Sequence, residues 1–137
     1  MRRLIPRPGP KNGDHDGERG AASVLVAILL VVLLGIMEFS RAYNAQASLS
    51  AAARESVRVM AISNNASTAK AAAMTTAVSL QPALQDTNIT FKNLDTGTTS
   101  CAPGNRITVT ISYNLSTMTG IAGPFPMKGK GAMLCGG

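Results

Sequence analysis

The chain has 137 residues, 45% of them hydrophobic but only 4% aromatic, and a formal net charge of +6. This allows one small domain beside a hydrophobic segment, and too few bulky side chains for the large core of an elaborate enzyme. The basic residues are spread thinly, without a cationic run or interleaved aromatics to stack bases, so nucleic acid is not an expected partner.

Residues 1–20 hold three prolines, four glycines and charges of both signs, with no apolar periodicity. The expectation is a disordered leader. From Ala21 to Met37 follows an uncharged apolar run of 17 residues. As a helix it spans roughly 25 Å, slightly short of a hydrocarbon core of about 30 Å, so the lipid bilayer is the first expected partner and the anchor is marginal. Arg2, Arg3, Arg7, Lys11 and Arg19 precede the run, whereas only Arg41 and Arg54 lie in the twenty residues after it. The positive-inside bias therefore predicts a single-pass protein of the cytoplasmic membrane, with the N-terminus in the cytoplasm and everything from about Glu38 outside. Outside the cytoplasm, Cys101 and Cys135 are able to pair.

Glu18-Arg19-Gly20 meets Ala21-Ala22-Ser23-Val24 abruptly, a charged segment against a hydrophobic helix across one glycine. Such a glycine is where a prepilin-type peptidase cuts, although a glycine before an apolar helix is also a common arrangement. From Glu38 to Ala61 there is neither Gly nor Pro, and the membrane helix is expected to continue unbroken, to about 40 residues in all. Phe39, Tyr43, Ala47, Ser50, Ala53, Val57 and Met60 recur at spacings of three and four. Such a stripe packs under the chain's own domain, or against helices of neighbouring subunits, or does each at a different depth. Glu38 and Arg41 are spaced to pair on one helix face, with Arg41 snorkelling at the interface or Glu38 bridging to another subunit.

Ser63-Asn64-Asn65 signals a break, after which Ala66 to Leu80 reads as a second helix, capped by Ser67 or Thr68 and ended by Pro82. The period then changes to two. Ile107, Val109, Ile111, Tyr113 and Leu115 alternate with polar residues, the pattern of a strand with one buried face. Thr87 to Leu94 predicts a weaker strand, and Met127 to Cys135 a third with Met127, Met133 and Cys135 on one side. Gly129 and Gly131 within it mark bulges or a close approach to the long helix. A Cys101–Cys135 bridge would close a loop that, by chain entropy, is worth roughly 3 to 4 kcal/mol to a domain this small. Four segments result: a cytoplasmic leader over 1–20, the membrane segment 21–37, an exported continuation of the helix over 38–62, and a small extracytoplasmic domain over 63–137.

Catalytic chemistry has little to work with. His15, the one histidine, lies in the leader, so no histidine triad, base or metal cluster is available to the exported domain. There is no Gly-rich phosphate loop and no Cys-x-x-Cys, and Asp86 and Asp95 stand isolated in turn-like segments. No catalytic residue, metal or cofactor is expected, and the protein is not read as an enzyme. Three Asn-x-Ser/Thr triplets, at Asn65, Asn88 and Asn114, are chance matches in an Asn/Ser/Thr-rich chain.

Gly20-Ala21-Ala22-Ser23-Val24, Gly35-Ile36-Met37-Glu38-Phe39-Ser40-Arg41 and Ala52-Ala53-Arg54-Glu55-Ser56-Val57-Arg58 resemble the TadE-like family of tight-adherence (Flp) pilus systems. Ile107 to Tyr113 and Gly131 to Gly137 resemble the ending of actinobacterial members. The resemblance implies an α+β, pilin-like fold: a long N-terminal transmembrane helix running into the exported domain, a short second helix and a small three-stranded antiparallel sheet. It also implies a pseudopilin or minor pilin, processed by a prepilin peptidase at Gly20 and Ala21, with other pilins and pilus-assembly platform proteins as partners. Glu38 and Arg41 match the charged pair after the membrane segment, and Phe39 and Tyr43 stand beside it as helix-packing residues. One position departs from the pattern. The fifth residue after the cut, a glutamate in pilins, is Leu25 here, and it cannot pair with a neighbour's new N-terminal amine. An uncleaved, membrane-anchored surface protein that binds a ligand or partner stays open, as does a secreted protein cut after Ala45-Gln46-Ala47.

Overall fold

The structure is a computed structural model that describes Gly9, residues 15–120 and residues 123–136. It comprises two compact units, Met1–Met37 and Glu38–Gly137. The first long helix, α1, spans His15–Ser63. It begins six residues before Ala21, so the end of the expected leader is helical rather than disordered. Gly20 does not stop it, because one interior glycine costs only about 1 kcal/mol. The expectation for residues 1–14 falls outside the described residues, Gly9 excepted. At its far end α1 stops at Asn64, whose backbone takes the left-handed conformation (φ 46°) that Asn tolerates better than most residues. The amides of Asn64 and Gly136 donate to the carbonyls of Met60 (2.9 Å) and Ala61 (3.2 Å), satisfying the last turn.

The second helix, α2, covers Ala66–Thr76. Its cap is Asn65, ahead of the expected Ser67 or Thr68 by two or three positions: the Asn65 Oδ1 accepts from the amides of Ser67 (3.0 Å) and Thr68 (3.2 Å). It also ends four residues before Leu80. Leu80 N–H bonds to Ala77 O (3.0 Å), a tighter turn that unwinds the chain before Pro82, which disfavours helix in the residue preceding it. Ala69, Ala73 and Ala77 form the buried face, and the buried Ser56 hydroxyl donates to Ala69 O at 2.9 Å, tying α1 to α2.

Three antiparallel strands follow in the spatial order β1 (Ile89–Asn93), β2 (Arg106–Leu115) and β3 (Phe125–Leu134). β1 is shorter than expected because Asp86–Asn88 form a 3-10 turn, with Gln85 N–H donating to Asn88 Oδ1 (3.0 Å). β3 starts two residues early, paired with the end of β2 at Leu115 and Phe125. The period-two pattern of β2 turns Ile107, Val109, Ile111, Tyr113 and Leu115 inward, where they meet Leu49, Ala52, Ala53, Val57 and Met60 of α1. Lys92, Arg106, Lys128 and Lys130 lie on exposed positions of the strands, alternating with the inward ones.

β3 comes close to the helix without forming a bulge. A Cβ on Gly129 would stand 2.5 Å from the Leu49 carbonyl oxygen, and one on Gly131 2.7 Å from that of Ala53. Two strand residues rise about 7 Å and four helix residues about 6 Å, so the glycines keep step with successive turns of α1. Beyond β3, Cys101 and Cys135 are joined by a disulfide, and Asn64 Oδ1 accepts from Cys101 N–H at 2.7 Å, fastening the bridge to the end of α1.

Gly→Ala normally stabilises through the unfolded chain, by about 0.4–1 kcal/mol. At Gly129 or Gly131 the sign should reverse, with a loss of about 1–3 kcal/mol from overpacking against backbone. Gly123→Ala, with open space around it, should not lower stability. Thermal unfolding of the three variants in detergent micelles is the check.

Candidate assembly face on the long helix

Every large apolar side chain from Val24 to Met37 is about half exposed or more, from 49% at Leu34 and Met37 to 69% at Val31. This helix is long and apolar enough to cross a membrane. Gly20 and Ala21 are exposed and helical. The Ser23 hydroxyl donates to Gly20 O at 2.8 Å, so the carbonyl of the expected cleavage bond is already engaged within the helix.

In the second unit the predicted stripe divides. Ala53, Val57 and Met60 are buried beneath the sheet, whereas Phe39 and Tyr43 remain 72% and 70% exposed. The covered face instead runs through Ala42, Ala45 and Leu49, and Phe39 and Tyr43 stay exposed because they point to a different side of the helix. Glu38 and Arg41 do not pair with each other. The Glu38 carboxylate accepts from Met118 N–H at 3.3 Å to each oxygen, which holds the β2–β3 connection against α1. Arg41 lines an open groove of about 390 Å³ together with Asn44, Ser48, Ser79 and Gln81. The Ser48 and Ser79 hydroxyls lie 3.1 Å apart across this groove. Gln46 Nε2 donates to Lys128 O at 3.2 Å, a further tie between α1 and β3.

These long-range ties escape sequence reading, since nothing near Glu38 signals an amide 80 residues on. The same holds for the buried Asn93, which donates to Ser100 O (3.0 Å) and accepts from the amides of Asp95 (3.0 Å) and Thr96 (3.2 Å) to shape the β1–β2 turn. Among the described residues, no three His, Cys, Asp or Glu side chains come together to hold a metal ion. Neither the groove at Arg41 nor the one lined by Arg54, Glu55, Arg58 and Met133 brings two carboxylates together.

Residues 22–58 match the family described as TadE-like protein, a segment of about a quarter of the chain. It holds the apolar run from Ala22 on, the Glu38–Arg41 region and the first turns buried by the sheet, and leaves out Gly20 and Ala21. No curated protein and no solved structure matches the chain.

Tyr113, facing the core from β2, donates its hydroxyl to Pro82 O at 2.7 Å. Burial raises its pKa above the usual tyrosine value, and the positive charge of Arg41 opposes that shift in part. A raised folded-state pKa means that this stabilisation is complete below the unfolded value near pH 10 and is lost as pH climbs through the higher folded value. Tyr113→Phe should cost about 1 kcal/mol at neutral pH and remove this alkaline loss. Urea unfolding at neutral and strongly alkaline pH tests both.

Proposed function

We propose that this chain is a TadE-like pseudopilin or minor pilin of the actinobacterial type, a structural component of a tight-adherence (Flp) pilus system. Its N-terminus is cytoplasmic, α1 crosses the membrane, and the disulfide-closed α+β head stands outside. A prepilin peptidase trims it after Gly20, and its partners are other pilins and platform proteins of the same apparatus. The observation that carries this reading is the TadE-like match over 22–58 lying on a helix that is apolar and uncovered through Met37, then packed under the sheet from Ala45 onward. A helix uncovered at one end and clothed at the other suits a subunit that is stored in lipid and then moved into a helical bundle.

A second reading is favoured by two specific features. Leu25 replaces the carboxylate that would receive a neighbour's amine, and Gly20 lies inside a helix with its carbonyl bonded to Ser23. Both suit a protein that is never cut and stays anchored beside the filament. Mass spectrometry of the protein recovered from cells separates the readings: a mature N-terminus at Ala21 is expected for the processed subunit. An untrimmed leader would indicate the static anchor, and Ser48 a secreted protein.

The exposed Phe39 and Tyr43 lie four residues apart on one helix face and are the contacts offered to a neighbouring helix. Phe39→Cys or Tyr43→Cys is expected to give crosslinked dimers in cells. Monomer alone from both variants would remove this face from assembly.

A further inference from the structure

Glu38 follows directly on Met37, the last residue of the apolar run, and its carboxylate carries the Met118 amide. Met118, in the β2–β3 connection, is therefore tied by a hydrogen bond to the residue that ends the apolar run. The edge of the hydrocarbon is itself drawn toward Glu38, because the run is about 5 Å shorter than a typical hydrocarbon core. The connection has the composition to meet lipid. From Ile107 to Met127 the sequence contains no charged residue. Met118 is 64% exposed and Phe125 40% exposed, while the opposite, β1–β2 end of the head carries Asp95, Arg106 and a series of hydroxyls.

We propose that the β2–β3 hairpin, through Met118 and Phe125, is a second lipid-contacting surface, seated in the headgroup layer of the bilayer that α1 crosses. The inference rests on the membrane-anchored reading above and adds a contact to it. Approach to lipid removes water from the apolar side chains of Met118 and Phe125, and the stretch from Ile107 to Met127 brings no charged side chain of its own with them. Phe39 and Tyr43 lie roughly 100–140° around the helix from Glu38, which leaves them free for a neighbouring subunit while the hairpin rests on lipid.

The chain has no tryptophan, so a single Trp reports on one place. Met118→Trp, Leu94→Trp and Val31→Trp are to be reconstituted as full-length, oxidised protein in phosphatidylcholine–phosphatidylglycerol vesicles. A fraction of the lipid is brominated near the top of the acyl chain. Leu94 is an exposed control in the β1–β2 turn, and Val31 reports the anchor itself. The expected result is blue-shifted Met118→Trp emission that loses most of its intensity to brominated lipid, with Leu94→Trp unaffected. Quenching at Val31 without quenching at Met118 would overturn the hairpin contact and leave the anchor intact. No quenching at Val31 would defeat the anchored reading. A Met118→Trp blue shift that ignores bromine and grows with the protein-to-lipid ratio would assign the surface to a second copy of the chain and overturn the proposal.

Discussion

The contact on which the head depends is backbone against backbone: Gly129 and Gly131 of β3 lying over the carbonyls of Leu49 and Ala53 in α1. A sheet carrying ordinary side chains stands about 10 Å from the layer it covers. Two missing Cβ atoms bring this strand closer, and closeness makes a core from small side chains sufficient. Ala45, Ala52, Ala53, Ala69, Ala73 and Ala77 contribute little area each, yet dense packing lets dispersion and water exclusion act across the whole contact. A sequence poor in aromatics thus obtains a closed interior.

Polar ties then fix what apolar packing leaves free to slide. Ser56 holds α2 to α1, Gln46 holds β3, Glu38 holds the β2–β3 connection, and Asn64 holds the disulfide. Each joins a side chain in α1 or just after it to a backbone group of a later segment, so together they set the register of the head on its helix. A side-chain hydrogen bond of this kind contributes about 1 kcal/mol net, but a buried member left without its partner costs more. Their value lies in specifying one arrangement.

Much of the architecture was legible because it follows from periodicity and from special residues. The uncharged run, the absence of Gly and Pro from Glu38 to Ala61, and the alternation from Ile107 to Leu115 predicted α1 and β2 within a residue or two at their inner boundaries. The paired glycines of β3 pointed to a close approach, one of the two meanings considered for them. Ends were less legible, since they are settled by single hydrogen bonds: Asn65 took the cap expected of Ser67 or Thr68, and the Asp86–Asn88 turn displaced the start of β1. The candidate face was legible in outline only. Ala53, Val57 and Met60 of the stripe lie under the sheet while Phe39 and Tyr43 are exposed, and the spacing of Glu38 and Arg41 offers a local pair that the structure does not form. The partner of Glu38, Met118, is 80 residues distant and announced by nothing nearby.

The order of these elements along the chain has a consequence for how the protein is made. α1 emerges first and β3 last among the described elements, so the surface of Leu49 and Ala53 that Gly129 and Gly131 lie against stays uncovered by β3 until residues 125–134 arrive. The residues just after them bring Cys135 to Cys101 and the Gly136 amide to the end of α1. Completion of the head therefore waits for β3 and the segment after it, and until they emerge the helix and the strands already made lack the strand that latches them together.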